Sequence, residues 1–278
     1  MNADEELGAE LRERLTEHGV RLQPAGNGVA RVSWSSDLQE QGFEVASAAV
    51  RDEVTLALDQ LKQARVEALV DPDDLLATRI ATWAGLQREG VMRGAVEESG
   101  ERRDRVVFAR LQTDAPLHKS RGFRALLNSF LPRKRAIAQM LVRDTEGRVL
   151  LCSLTYKQDW DLPGGVVEVN ESPRDAVSRE VQEELGLEVP AGPLLLTDWL
   201  PPWSGWDDAL CLVFDGGAHD PSVLDRAVLQ PREIQSVRFC TPQEVREHCA
   251  DFTARRIESA LVTLAGPGGP AFTESGRP

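Results

Sequence analysis

Residues 165–187 read GVVEVNESPRDAVSREVQEELGL, and this stretch predicts a glycine turn followed by an acidic helix. Pro173 stands in the first turn of that helix, Ser172 begins an S-x-x-D capping box, and Gly186 follows the last turn. A capping side chain, an early proline and a terminal glycine are the usual signals of helix boundaries. We therefore expect a helix that ends at Leu185.

Three glutamates share one face of this helix. Glu180, Glu183 and Glu184 stand at i, i+3 and i+4, and these spacings bring side chains together. The adjacent face is apolar and suited to packing on a sheet: it carries Val177, Val181 and Leu185. Crowded carboxylates repel one another, and a hard cation with oxygen ligands offsets that repulsion. Mg²⁺ is the usual such cation beside phosphates.

The loop before the helix supports the same interpretation. Gly164 and Gly165 allow a sharp turn and a close approach of the backbone to a ligand. Glu171 lies near the helix entrance, and Arg179 is placed to pair with a carboxylate and hold it. We expect the two glycines to contribute to substrate binding.

The segment from Gly165 to Leu187 resembles the Nudix box, G-x5-E-x7-R-E-U-x-E-E-x-G-U with U apolar, at every position. The resemblance covers roughly Arg135 to Leu264. It implies an α/β/α sandwich that cleaves a nucleoside diphosphate linked to another moiety. Nucleoside triphosphates, oxidised nucleotides and ADP-ribose all stay open as substrates, so the expected partner is a nucleotide-type small molecule.

The resemblance also implies roles for the box residues. Glu180, Glu183 and Glu184 would bind Mg²⁺, with Mn²⁺ as the alternative, and the carbonyl of Gly165 would complete the metal shell. Glu180 or a more distal carboxylate would help to activate water, and Arg179 would orient the glutamates. We therefore expect Glu180, Arg179 and Glu183 to be catalytic.

A catalytic acid outside the box is common among such enzymes. Glu233 is the candidate, because it lies six residues before Phe239, on a loop entering the last predicted strand. Asp207 and Asp208 are its rivals.

Tryptophans near the glycine turn suggest where a nucleobase would stack. Trp160 comes just before the turn, and Trp203 and Trp206 lie in a later loop. An indole face can stack on a purine ring. The alternative is that these side chains only fill the edge of the domain.

The rest of the C-terminal half alternates strands and helices. Strands are predicted at 136–142, 149–154, 194–198, 209–214 and 235–239, and helices at 242–248 and 255–264. We assign 135–265 to this domain. Residues 266–278 are rich in glycine and proline and are predicted to be disordered.

Upstream, four short stretches resemble the second half of a GNAT acetyltransferase. They are RVEALV at 65–70, TRIATWAGL at 78–86, REGVMR at 88–93 and DRVVF at 104–108. The resemblance implies a partial α/β domain over 1–114. In the expected acetyl-CoA loop Glu44 replaces a small residue, and a carboxylate there would repel a phosphate. We expect packing or binding without catalysis. The alternatives are a bifunctional protein that also transfers acetyl groups, and a non-catalytic nucleotide sensor.

A basic connector is predicted between the two domains, over 115–134. From Ala115 to Val142 there is no Asp or Glu. The apolar residues of this stretch follow helical spacing: they are Phe123, Leu126, Leu127, Phe130 and Leu131. We expect an amphipathic helix that packs this stripe on a neighbour.

Bulk properties exclude several classes of protein. The 278 residues carry a formal net charge of -13, which argues against binding a nucleic-acid polymer. The four cysteines and four histidines show no metal-ligand spacing. The N-terminus is polar and acidic, unlike a signal peptide, and no apolar run is long enough for a membrane span. We expect a cytoplasmic protein, and a homodimer is possible.

Overall fold

The computed structural model describes residues 19–278 of the chain. The expectation about the acidic N-terminus therefore lies outside the described residues. The chain divides into two compact units, Met1–Pro132 and Arg133–Pro278. Within the described residues, no helix combines the length and the apolar character that crossing a bilayer requires.

The first unit contains a five-stranded sheet in the order β1-β2-β3-β5-β4 within its described part. The strands are β1 (Val20–Gly26), β2 (Val29–Trp34), β3 (Arg65–Val70), β4 (Gln87–Glu98) and β5 (Glu101–Leu111). The helices are α1 (Ser36–Glu40), α2 (Phe43–Asp59), α3 (Leu75–Trp83) and α4 (Ser120–Phe130). Alternate residues of β3 are buried, and they pack with Val50 and Val54 of α2 and Ile80 of α3.

Helix α4 is the predicted amphipathic connector, and it belongs to the first unit. Leu126 is buried, whereas Phe123 and Leu131 are about half exposed. Gly122 is required here, because a Cβ at that position would lie 2.3 Å from the carbonyl oxygen of Ala115. The boundary between the two units falls between Pro132 and Arg133, within the stretch 115–134 expected as a connector.

The second unit contains a seven-stranded sheet in its described residues, with the order β11-β7-β6-β10-β9-β12 and β8 paired to β6. The strands are β6 (Arg135–Asp144), β7 (Val149–Leu154), β8 (Gly164–Val166), β9 (Leu194–Leu200), β10 (Ala209–His219), β11 (Ile234–Cys240) and β12 (Phe272–Glu274). The helices are α5 (Pro173–Leu185), a 3₁₀ helix (Pro221–Arg226), α6 (Pro242–His248) and α7 (Asp251–Ala265).

This sheet lies between two helical layers. Met140 of β6 belongs to the apolar cluster that contains Val177 and Val181 of α5. Its neighbour Leu141 belongs to a second cluster, which contains Ile257 of α7. Successive side chains of a strand point to opposite faces, so α5 and α7 cover opposite faces of the sheet. The expected α/β/α sandwich is confirmed.

Residues 266–278 are ordered, contrary to the prediction of a disordered tail. Strand β12 pairs in parallel with β9, and the buried hydroxyl of Thr273 donates a 2.7 Å hydrogen bond to Asp198. A buried carboxylate needs hydrogen-bond donors. The glycine- and proline-rich composition of the tail does not show that the tail supplies a hydrogen-bond donor to Asp198.

Candidate active site

Helix α5 has the boundaries that its sequence predicts. The Ser172 hydroxyl accepts a hydrogen bond from the backbone N–H of Asp175 at 3.2 Å, and Pro173 opens the helix. Gly186 ends it with a left-handed φ of 65°. Val177, Val181 and Leu185 are fully buried against the sheet. These contacts fix the orientation of the helix and therefore of its acidic face.

The three glutamates of α5 differ in exposure. Glu184 is 4% exposed, and it accepts a 2.9 Å hydrogen bond from the backbone N–H of Gly164. The side chain of Glu180 is largely buried, whereas that of Glu183 is 60% exposed. Glu180 and Glu184 therefore lie against the glycine turn, and Glu183 extends toward solvent.

Both glycines of the turn make close contacts, and those of Gly164 are with backbone atoms that cannot move aside. A Cβ on Gly165 would lie 2.5 Å from the carboxyl carbon of Glu180. A Cβ on Gly164, whose φ is +142°, would lie 2.2 Å from the carbonyl oxygen of Ala138. The turn thus packs on β6 on one side and on the carboxyl group of Glu180 on the other.

Arg179 connects the acidic residues. Its Nε and Nη2 donate to the two carboxylate oxygens of Glu171 at 2.8 and 3.0 Å. Its Nη1 lies 2.9 Å from a carboxylate oxygen of Glu183 and 3.0 Å from one of Glu180. The hydrogen bonds from Arg179 lower the pKa of Glu171. A planar guanidinium with several fixed donors suits this bracing of three carboxylates.

The two inner carboxyl groups lack sufficient positive charge. Burial, together with the negative charges of Glu180 and Glu233, raises the pKa of Glu184 to about 8, although the hydrogen bond from the Gly164 N–H opposes the rise. Burial also raises the pKa of Glu180, although Arg179 opposes that rise. A cation bound between these groups would supply the missing charge.

The residues around the turn fit a hard cation. Within residues 19–278 no group of three or more His, Cys, Asp or Glu side chains stands in a ready metal-binding arrangement. The available donors are nonetheless all oxygens, from Glu180, Glu184 and Glu183 and from the carbonyl of Gly165. Oxygen donors are the ligands that Mg²⁺ and Mn²⁺ prefer. The carboxyl group of Glu180 lies directly against Gly165, where the Cβ of any other residue would meet it.

The candidate distal acids differ in their surroundings. Glu233 is exposed, its backbone carbonyl accepts a 2.9 Å hydrogen bond from Thr155, and its charge acts on Glu180 and Glu184. Asp208 pairs with Lys134, and the hydrogen bond from Lys134 lowers the pKa of Asp208. The backbone of Asp207 accepts a hydrogen bond from Arg135.

The predicted stacking tryptophans occupy two places. Trp160 helps to line a cavity of about 510 Å³, and its ring stacks on His248 with centroids 4.6 Å apart. Trp203 and Trp206 pair with each other through two backbone hydrogen bonds in the connection between β9 and β10, and both rings are more than half exposed. Arg135 lies over the Trp206 ring at 5.0 Å.

Sequence reasoning missed two charged residues beside the turn. Lys157 lines the same cavity as Trp160, and its Nζ donates a 2.7 Å hydrogen bond to Asp161. Asp161 also accepts a 2.7 Å hydrogen bond from Gln139 of β6. The sequence did offer a signal for this pair, because Lys157 and Asp161 carry opposite charges and stand four residues apart, just before the two glycines.

A family model for the NUDIX domain matches residues 132–261. A MutT-like protein from Streptomyces ambofaciens is 34% identical over 136 residues, which span 48% of this chain and 79% of that protein. Nucleoside triphosphatase NudI from Escherichia coli O1:K1 / APEC is 37% identical over 139 residues, or 45% of this chain and 94% of that protein. CTP pyrophosphohydrolase from Escherichia coli (strain K12) is 30% identical over 116 residues, which span 40% of this chain and 78% of that protein.

Solved structures are similar to each half of the chain. The MutT protein from Methanosarcina mazei Go1 is 21% identical, with a TM-score of 0.42, and the match covers 50% of this chain and all of that one. The ribosomal-protein-S5-alanine acetyltransferase from Vibrio fischeri matches the N-terminal part at 18% identity and a TM-score of 0.32. That match covers 35% of this chain and 55% of the other.

Proposed function

The chain belongs to the Nudix family of pyrophosphohydrolases, and from that premise we propose that it hydrolyses a nucleoside triphosphate with Mg²⁺ or Mn²⁺ bound at helix α5. The observation that carries the proposal is the cluster of carboxylates at the glycine turn: Glu180 packs directly on Gly165, and the buried Glu184 accepts a hydrogen bond from the Gly164 N–H. These closely packed carboxylates, whose negative charge Arg179 offsets only in part, support a cation site at the turn.

Glu180, Glu184 and Glu183, with the carbonyl of Gly165, would hold the metal. Bound there, such an ion offsets pyrophosphate charge, lowers the pKa of a water molecule and stabilises the leaving oxygen. The acidity of the chain makes this help necessary, because a net charge of -13 repels an anionic substrate.

The protein's own side chains supply the positioning. Arg179 braces Glu171, Glu180 and Glu183, so the outer carboxylates keep one orientation. The backbone N–H of Gly164 does the same for Glu184. Such preorganisation removes the cost of arranging these groups during the reaction.

We assign the proton-accepting role to Glu233. Its side chain is exposed, and its charge acts on both inner glutamates. Asp208 is already paired with Lys134, which makes it a poorer base. Glu180 is the alternative proton acceptor. Its carboxylate would then both bind the metal and activate the water.

The substrate class rests on the relatives. Two of them are a nucleoside triphosphatase and a CTP pyrophosphohydrolase by name. The open pocket of about 510 Å³ beside Trp160 would hold part of such a ligand. Trp203 and Trp206 present exposed rings that would stack a base, and Gly164 and Gly165 would let the backbone approach the phosphates.

The test is a substrate panel of CTP, dGTP, UDP-glucose and ADP-ribose, assayed with Mg²⁺, Mn²⁺ or EDTA. The Glu183→Gln, Glu184→Gln double variant should lose at least about a thousandfold in kcat. Glu188→Gln is the matched control, since Glu188 is exposed and lies just beyond the box. Equal turnover in EDTA, or an active double variant, would refute the proposal.

For the first unit we propose a packing or binding role without acetyl transfer. Gly42 precedes α2 with a φ of 105°, and Glu44 lies in the first turn of that helix. A carboxylate there opposes phosphate binding at the helix N-terminus. Isothermal titration with acetyl-CoA should show no binding, and tight binding together with acetylation of an acceptor amine would contradict this.

A further inference from the structure

A charged pair is buried inside the second unit, away from the box. Arg256 of α7 is 1% exposed and Asp198 of β9 is fully buried, and Arg256 Nε donates to Asp198 at 2.7 Å. The other carboxylate oxygen of Asp198 accepts from the Thr273 hydroxyl at 2.7 Å and from the Gly276 N–H at 2.8 Å. Burial of an ion pair costs free energy, and apolar side chains of similar volume often serve stability as well. We therefore expect this buried ion pair to have a role other than stabilising the fold.

The same arginine continues toward the active site. Its Nη1 donates to the side-chain oxygen of Gln139 at 2.9 Å, and the amide nitrogen of Gln139 donates to Asp161 at 2.7 Å. The orientation of this amide is forced, because an arginine only donates and a carboxylate only accepts. Asp161 then accepts from Lys157 Nζ at 2.7 Å. One series of hydrogen bonds thus runs from β12 to Lys157.

The series passes beside the glycine turn before it ends at Lys157. Lys157 lines the pocket beside Trp160, and Gln139 of β6 pairs in register with Gly164, whose N–H donates to Glu184. An ammonium group has three donors, and Lys157 uses one of them on Asp161. The other two are suited to phosphate oxygens. Among the described residues that line this cavity, Lys157 carries the positive charge.

We propose that Lys157 binds a phosphate of the substrate, and that the C-terminal segment 272–276 positions Lys157 through Asp198, Arg256, Gln139 and Asp161. The inference rests on the proposed function, because it takes a nucleotide as the ligand. Lys157 is the substrate-binding residue in this scheme, and the four intervening side chains are positioning residues.

The kinetic test uses the panel nucleotide that the wild-type enzyme cleaves fastest. Lys157→Met should raise KM about tenfold or more and change kcat less than about twofold, because a contact made equally before and during the reaction affects binding alone. Thr273→Val removes one hydrogen bond to Asp198 and should raise KM about threefold. In the double variant the effect of Thr273→Val should disappear, because interacting residues are not additive.

The matched control is Thr263→Val. The Thr263 hydroxyl lies 3.0 Å from the carbonyl oxygen of Pro270 and 3.2 Å from that of Ser259, so it contacts the chain just before segment 272–276 without touching Asp198. This variant should leave KM unchanged. A KM increase for Thr263→Val equal to that for Thr273→Val would show general loosening of the segment and overturn the proposal. So would a Thr273→Val effect that persists in the Lys157→Met background.

A second measurement does not depend on activity. The chain has four lysines, Lys62, Lys119, Lys134 and Lys157, so acylation of each amine by acetic anhydride is easily followed by peptide mass spectrometry. Thr273→Val should speed the labelling of Lys157 relative to Lys62 and Lys119, and Thr263→Val should not. If no nucleotide is cleaved, the proposed function fails, and the labelling still decides whether the C-terminal segment positions Lys157.

Discussion

The buried carboxyl group of Glu184 should make the metal-free protein less stable as the pH rises. Its folded-state pKa is about 8, against 4.5 for an ordinary glutamate. The folded protein therefore holds this proton more tightly than the unfolded chain does. The stabilisation is fully present below about pH 4.5 and is lost as the pH rises toward 8.

The size of the effect follows from that difference. Each tenfold change in proton affinity corresponds to about 1.4 kcal/mol, so the full loss is at most about 5 kcal/mol. Between pH 5 and pH 8 the wild-type protein should lose about 2 to 4 kcal/mol of unfolding free energy through this group. Glu184→Gln carries no titrating proton and still offers an oxygen to the Gly164 N–H, so its stability should change much less.

The assay is urea unfolding in EDTA at several pH values, for wild type, Glu184→Gln and Glu183→Gln. Glu183 is 60% exposed, so its variant should follow the wild type. Saturating Mg²⁺ at pH 8 should restore much of the wild-type stability and little of that of Glu184→Gln, because a ligand stabilises the state that binds it. Parallel pH profiles for wild type and Glu184→Gln would refute the reasoning.

Three further substitutions test the geometry of the site. Gly165→Ala places a methyl carbon 2.5 Å from the Glu180 carboxyl group, which is the movable end of a side chain. We expect kcat to fall about a hundredfold or more with little change in melting temperature, and a parallel loss of both would contradict this. Arg179→Lys cannot reproduce the paired hydrogen bonds to Glu171 and should lower kcat about tenfold or more; unchanged steady-state kinetics would count against the bracing role. Trp206→Ala should raise KM for the preferred nucleotide about tenfold if the ring stacks a base, and an unaltered KM across the panel would end that idea.

The local parts of the fold could be predicted from the sequence. Ser172, Pro173 and Gly186 predict the two ends of helix α5. Val177 and Val181 predict its apolar face, and both are buried. These signals lie within a few residues of one another, so spacing alone carries them.

Elements that depend on distant residues could not be predicted in this way. Strand β4 (Gln87–Glu98) has no buried residue, and its apolar residues do not alternate with polar ones. Strand β1 (Val20–Gly26) contains Pro24, which weakens a strand signal. The order of residues 266–278 depends on Asp198, which lies 75 positions before Thr273.

The site shows the same division. The glycine turn and the glutamates form one short motif, whereas the link from Gln139 to Arg256 joins residues 117 positions apart. Polar side chains at such separations carry no local pattern, and only the packed sheet brings them together. The exposed fractions of the three glutamate side chains also depend on the tertiary structure, because the Gly164 N–H donates a hydrogen bond to Glu184 and not to the other two.

Strand β12 has a consequence for self-association. Without it, β9 would form the border of the sheet, and its unpaired N–H and C=O groups could recruit a strand from another copy. The three residues Phe272–Glu274 occupy that border and are too short to serve as a long template themselves. The polypeptide therefore carries its own blocking strand, and loss of that strand would first become visible as a tendency to aggregate.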